Sequence, residues 1–325
     1  MLRKCALVLV FCLVASFAYS GQDKIIIKWG DTQGPTHIAM QMVVRIGDML
    51  KEKTNGRIEV QAYPASQMGT GLEMLEGVSM GMLEMMTEGC AIIGQFVPSI
   101  GIAESPYVFR DPEHLIKVMD GEIGQEINKQ LIEKFNMRML GTTYYGMRHL
   151  TSTSKEIRGV KDMEGFKLRV PESEVFLKMV EAWGGRATPM NFSELYLALK
   201  QNVVDGQENP LPTIEAAKLY EVQKYLVLTG HIITPRMALI NEELWQRLSP
   251  EDQKLLQECV SEGIAWNNRE IRKRELELVE ELGKMGMTVV EVDIEEFRKP
   301  VIEKLVPAIE PKWGKGVWER IQAVK

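Results

Sequence analysis

The stretch Ile25-Ile26-Ile27-Lys28-Trp29, followed by Gly34-Pro35-Thr36 and then by Ile38, Met42, Val43, Ile46, Met49 and Leu50, decides the fold class. Its opening is mostly β-branched and apolar, the composition of a buried strand, and Gly34-Pro35 marks a turn. Thr36 stands where a helix cap belongs, the apolar residues after it recur every three or four positions, and Asn55-Gly56 ends the pattern as a helix stop does. Arg57 to Ala62 then alternates polar and apolar side chains. Strand, helix and strand in that order form a βαβ unit, which requires a parallel sheet with helices packed on it.

Outward from this unit the same grammar recurs. Met137 to Thr143 reads as a strand, Val175 to Trp183 as a helix, and Ser193 to Gln201 as a helix leading into Val203-Val204, so the chain is α/β throughout. At 325 residues a single core stops growing, and two lobes are expected. No internal repeat or low-complexity linker separates them, so the boundary is a tight crossing. Ser249-Pro250-Glu251-Asp252 opens the longest element with a cap, a proline in the first turn and early acidic residues. It runs for about 34 residues, or ~50 Å, either unbroken or as two helices parted near Gly263; if unbroken it must span both lobes.

The chain starts with Arg3 and Lys4, an apolar stretch from Ala6 to Phe17, and Ala18-Tyr19-Ser20, which together read as a cleavable secretory signal over residues 1–20. The apolar stretch is shorter than the ~20 residues that cross a bilayer. Cys12 follows Leu9-Val10-Phe11, without the small residues a lipidation signal wants, so free export is expected. Two cysteines then remain, Cys90 and Cys259, too few for a disulfide scaffold; two isolated buried thiols are preferred over one bridge. With 39 basic against 45 acidic residues, a formal charge of -6 gives no electrostatic footprint for nucleic acid or an anionic membrane.

The four histidines, His37, His114, His149 and His231, never stand three or four apart, and no phosphate loop or dinucleotide fingerprint occurs. Neither a metal nor a cofactor is implied. Met74, Met80, Met82, Met85 and Met86 stand at helical core spacing and read as core filling, not as copper ligands. Gly77-Val78-Ser79-Met80-Gly81 matches the elbow of serine hydrolases, but Leu72 to Glu76 before it reads as a helix and Leu83 to Thr87 after it as a strand, the reverse of the required order. In Lys167-Leu168-Arg169-Val170-Pro171, alternation sets Arg169 on the face opposite Leu168 and Val170, and Pro171 ends the strand. Arginine at a strand end is ordinarily solvated, yet its planar fork also matches a carboxylate at two points.

The segments Asp162 to Pro171, Thr188-Pro189-Met190-Asn191-Phe192-Ser193 to Leu199, and Val204-Asp205-Gly206-Gln207-Glu208-Asn209-Pro210 resemble the substrate-binding proteins of TRAP (tripartite ATP-independent periplasmic) transporters. Lys53 to Ile58, Tyr63 to Gly69, Pro106-Tyr107-Val108-Phe109 and Tyr220 to Tyr225 extend the likeness over nearly the whole exported chain. The resemblance implies a two-lobed periplasmic-binding-protein fold, each lobe a sheet flanked by helices, joined by hinge strands and a long domain-spanning helix. It places lobe 1 at 21–145 plus about 235–270, lobe 2 at 146–234 plus about 271–300, and a C-terminal helical segment, 301–325, across both. It implies a periplasmic, monomeric, non-catalytic receptor that closes on an organic-acid anion and delivers it to a TRAP membrane permease. A periplasmic hydrolase using Ser79 and a receptor for an ATP-driven importer are the alternatives.

By the same resemblance Arg169 holds the ligand carboxylate, Arg148 is a second cleft arginine, Asn209 a polar contact and Phe192 the aromatic against the ligand body. Ser173 would face the cleft, and Asp31 and Glu88 would contribute from lobe 1. At Thr70-Gly71 the chain departs from sialic acid receptors, which carry acidic residues there. A dicarboxylate, a keto acid and a sugar acid all fit two arginines; Asp31, Glu88 and Asn209 suit hydroxyls, which favours a monocarboxylate sugar or hydroxy acid.

Overall fold

The computed structural model describes residues 24–325, so the signal reading at 1–20 lies outside the described residues. Strand β1 (Ile25–Gly30) and β2 (Ile58–Tyr63) pair in parallel with Ile25 opposite Ile58, and helix Ile38–Lys53 connects them. The helix cap is His37, not Thr36: the His37 ring nitrogen accepts from Ala39 N at 3.0 Å. Asn55 and Gly56 terminate the helix in the left-handed region, at φ 51° and 82°.

Helix Gly71–Ser79, opened by a capping box between Thr70 and Glu73, leads to β3 (Met85–Gly89). Of the methionines expected in the core here, Met74, Met85 and Met86 are buried, but Met80 and Met82 stand exposed on the turn between helix and strand. The remaining strands are β4 (Met137–Ser152), β5 (Lys167–Val170), β6 (Arg186–Pro189), β7 (Gly206–Pro210), β8 (Tyr225–Asn241) and β9 (Thr288–Val290). They form one nine-stranded sheet in the order β2-β1-β3-β8-β4-β7-β5-β6, with β9 beside β8.

The two lobes share this sheet through β4 and β8, antiparallel strands of 16 and 17 residues. Toward β3, β8 uses Arg236 to Ile240; toward β7, β4 uses Arg148 to Ser152, so each long strand serves a different lobe with each half. Between the halves the β4–β8 ladder slips at Met139/Gly141, Tyr144/Gly146 and Arg148/Leu150. Each slip leaves backbone groups without ladder partners and bends the strand.

The longest helix, Pro250–Lys284, fills that gap. Its 35 residues are unbroken. A Cβ on Gly263 would fall 2.4 Å from Ile46 Cγ1, so the glycine permits close approach to helix Ile38–Lys53 and does not mark a break. Further along, Asn268 Oδ1 accepts from Tyr144 N, Asn267 Nδ2 donates to Tyr144 O, and Glu275 accepts from Met147 N and from the Tyr144 hydroxyl. The helix thus satisfies the strand where the ladder cannot. Beyond it, the C-terminal helices tie Lys312 to Glu174 and Arg320 to Glu126.

Ile27, Trp29, Ile46, Met85, Ile240 and Val260 make one packed layer, while Leu199, Leu211, Ile214, Leu226, Leu278 and Leu282 make another at the far end of the long helix. Cys90 and Cys259 are free buried thiols in separate clusters. Among the described residues no helix is long and apolar enough to cross a membrane.

Candidate ligand-binding site

The parallel strands β1, β3, β5 and β7 end on one crevice between the lobes, the place where open α/β sheets hold ligands. It encloses a cavity of about 90 Å³, measured as space open to the centre of a water molecule. That is room for several water-sized groups. Glu172 borders both this cavity and an outer one, and its carbonyl accepts from Gln95 Nε2 at 2.8 Å.

Three arginines line the cavity and differ in their partners. Arg148 on β4 donates Nε and Nη2 to the Glu208 carboxylate at 2.5 and 2.8 Å and lies over the Phe176 ring, while His231 Nε2 meets Glu208 from behind at 3.0 Å. Burial works against the Arg148 charge, but Glu208 outweighs it, so Arg148 stays charged and Glu208 stays ionised. Arg236 on β8 forks onto Asp31, Nη1 to Oδ2 and Nη2 to Oδ1, both at 3.0 Å, with Glu88 Oε1 at 3.7 Å and the Tyr145 ring beneath its cation.

Arg169 on β5 is the exception. It is 2% exposed, and Nε and Nη2 donate only to Met190 O, at 3.1 and 2.6 Å. No carboxylate among the described residues pairs with it. Burial pushes its guanidinium down to about 10, with Glu208 opposing that effect and Arg148 adding to it. A buried cation in this state wants an anion, and its guanidinium carbon sits 5.9 Å from the Phe192 ring centre. Thr234 Oγ1, also on the cavity wall, is buried and finds no partner among the described residues.

Of the residues singled out in the sequence, Arg169, Arg148, Asn209, Phe192 and Glu88 line this cavity. Asn209 turns its amide inward, accepting from Arg148 and donating to Gln207. Asp31 does not line it: both its carboxylate oxygens are taken by Arg236, which it orients from behind. Ser173 lines a separate outer cavity with Gln95 and Trp313, because the chain turns past Glu172 before reaching it. Gly71 reaches the cavity, and a Cβ there would meet Glu88 Oε2 at 2.4 Å, so a side chain at this position would have to displace the Glu88 carboxylate.

Reading the sequence missed Arg236, Tyr145, Thr234 and Glu104, all on the cavity wall. Arg236 had one visible signal, a charge inside the apolar run Ile232 to Ile240. Ser79 ends its helix, and its hydroxyl donates to Phe135 O at 2.7 Å, so the helix-then-strand order that argued against a nucleophile elbow is present.

The family model of bacterial extracellular solute-binding proteins, family 7, matches residues 29–314. The sialic acid-binding periplasmic protein of Vibrio cholerae is 33% identical over 312 residues, covering 96% of this chain and 97% of that protein. A crystal structure of a TRAP periplasmic solute-binding protein from a Polaromonas species, bound to D-erythronate, superposes with a TM-score of 0.88 at 35% identity, covering 93% of this chain and 99% of that one. A third, from Roseobacter denitrificans with bound L-galactonate, gives a TM-score of 0.86 at 29% identity, again covering 93% and 99%.

Proposed function

The chain belongs to the bacterial extracellular solute-binding proteins of family 7, and on that premise we propose that it captures a small hydroxylated monocarboxylate and passes it to the membrane subunits of a TRAP permease. As a class it is a receptor for organic-acid anions held between two lobes. The observation that carries the finer reading is Arg169, a buried cation that has no carboxylate partner among the described residues and lines the cavity. A ligand carboxylate there completes the ion pair, and Phe192 packs on the ligand body. Glu88, Thr234 and Asn209 face its hydroxyls; Arg148 and Arg236, already paired, hold the walls.

Gly71 stands where the resemblance to sialic acid receptors calls for an acidic side chain, and a Cβ there would press on the Glu88 carboxylate, which supports an acid other than sialic acid. D-erythronate, held by the Polaromonas relative, is a hydroxy acid of suitable size. The receptor acts in the periplasm, the compartment named for its Vibrio relative.

A thermal-shift screen of aldonates, uronates, keto acids and dicarboxylates tests this. Stabilisation should be largest with a short aldonate and lost in Arg169→Ala. Stabilisation by succinate, malate or fumarate alone would overturn the hydroxy-acid reading, and no response to any acid would overturn the receptor's proposed ligand class.

A further inference from the structure

We propose that Glu104 reads a ligand hydroxyl beside Glu88 and that capture of the anion is coupled to uptake of a proton on its carboxyl. The inference rests on the carboxylate-receptor reading. Glu104 ends the tight turn Pro98–Glu104, is 3% exposed and lines the cavity. Its Oε2 accepts from Ala91 N, and a Cβ on Gly89 would come within 3.0 Å of the same oxygen, so the end of β3 is pressed against it. Oε1 has no hydrogen-bond partner among the described residues and is left for the cavity.

The charges around it decide its state. From β4 Arg148 faces it, but that guanidinium is committed to Glu208 of β7. From β3 comes Glu88, a like charge, and beside it the Cys90 thiol, which burial keeps protonated. Across the cavity Arg236 is committed to Asp31, and Arg169 is left for the ligand. Glu88 has Arg236 at 3.7 Å; Glu104 has no cation of its own. Burial raises the Glu104 carboxyl to about 7, Arg148 opposing and Glu88 and Glu208 assisting.

An incoming carboxylate adds a negative charge to a buried site and shields Oε1 further from solvent, both of which favour the neutral acid. The protonated Oε1 then donates to a ligand hydroxyl oxygen. A second carboxylate brought to the same place would meet Glu88 and Glu104, so above neutrality the site discriminates against diacids.

Titration calorimetry of the exported chain with the best-stabilising hydroxy acid, from pH 5.5 to 9 in two buffers of different ionisation enthalpy, tests the coupling. The expected Kd is nearly constant below pH 6.5 and weakens by up to about tenfold per pH unit above 7.5, with proton uptake approaching one. Glu104→Gln, which mimics the neutral acid, should flatten the profile and bind more tightly than wild type at pH 8.5. If that variant does not fold, carbon-13 titration of the wild-type glutamate carboxyls replaces it, with one resonance titrating near 7 and moving up with ligand. Binding that is independent of pH, without proton uptake, or a wild-type slope retained in Glu104→Gln, overturns this proposal alone. No acid bound at any pH removes the receptor reading and this proposal with it.

Discussion

Replacing Arg169 with methionine should move binding and stability in opposite directions. Holding the buried guanidinium at about 10 instead of 12.5 corresponds to about 3 kcal/mol of disfavoured charge in the unliganded fold. Methionine fills a similar volume without that charge, and losing the two bonds to Met190 O returns about 1 to 2 kcal/mol of the gain. The unliganded variant should therefore be more stable by about 1 to 2 kcal/mol, a rise of ~2 to 4 °C in melting temperature. Binding suffers because the ligand carboxylate would be buried without its fork, a loss of ~2 to 5 kcal/mol, or about thirtyfold to several thousandfold in Kd. Lysine keeps the charge but offers a single point on a flexible stem, and should lie between wild type and methionine. Differential scanning calorimetry without ligand and titration calorimetry with the best acid of the screen measure the two quantities on one preparation. Affinity within a few-fold of wild type, or a melting point several degrees lower, would refute the assignment of Arg169 as a charge kept for the ligand.

Arg148→Ala should act mainly on folding, since it leaves the buried Glu208 with His231 alone and no cation; we expect a loss of about 3 to 5 kcal/mol by chemical denaturation. His37 and His149 are buried and held down to about 3, by burial first and then by Arg236 and His231 respectively. A depressed histidine contributes stability that is complete above its unfolded value near 6.5 and lost as pH falls toward 3, so each should cost about 2 kcal/mol by pH 5, visible as a falling melting temperature. Gly263→Ala should part the long helix from Ile46 and destabilise by about 1 to 3 kcal/mol, despite alanine's better helix propensity.

The βαβ opening and the long helix were legible because each carries a period and its stops within a few residues: Ile25 to Trp29, Ile38 to Leu50, Ser249 to Asp252. The strand reading at Met137 to Thr143 caught only half of β4, because Gly141 and Gly146 interrupt the pattern and burial of both faces removes the alternation. Met80 and Met82 misled because spacing alone cannot separate a core stripe from a turn that happens to be apolar. At the site, alternation and Pro171 set Arg169 at its strand end, but by themselves they read it as solvated, and its place at the ligand came from the family resemblance. Arg236 and Glu104 were not legible, since what defines them is a partner far away in sequence: Asp31 for one, and for the other the lack of any cation once Arg148 is given to Glu208. Asp31 was assigned to the ligand for the same reason in reverse, its arginine being out of sight.

The grip of helix Pro250–Lys284 on β4 puts a control on the outside of the molecule. Asn267, Asn268 and Glu275 hold the strand at the crossing, while Gly263 seats the helix against helix Ile38–Lys53 and Arg274 ties it to Glu215. Any swing of the lobes has to twist β4 against this bar. If the lobes rotate about β4, the angle at which the jaws rest is set by side chains that do not line the cavity, and apparent affinity would scale with the fraction of molecules whose jaws rest in the receptive posture. Descent can retune the strength of capture from the back of the protein, like turning a set screw, while the chemistry that decides which acid is captured stays untouched.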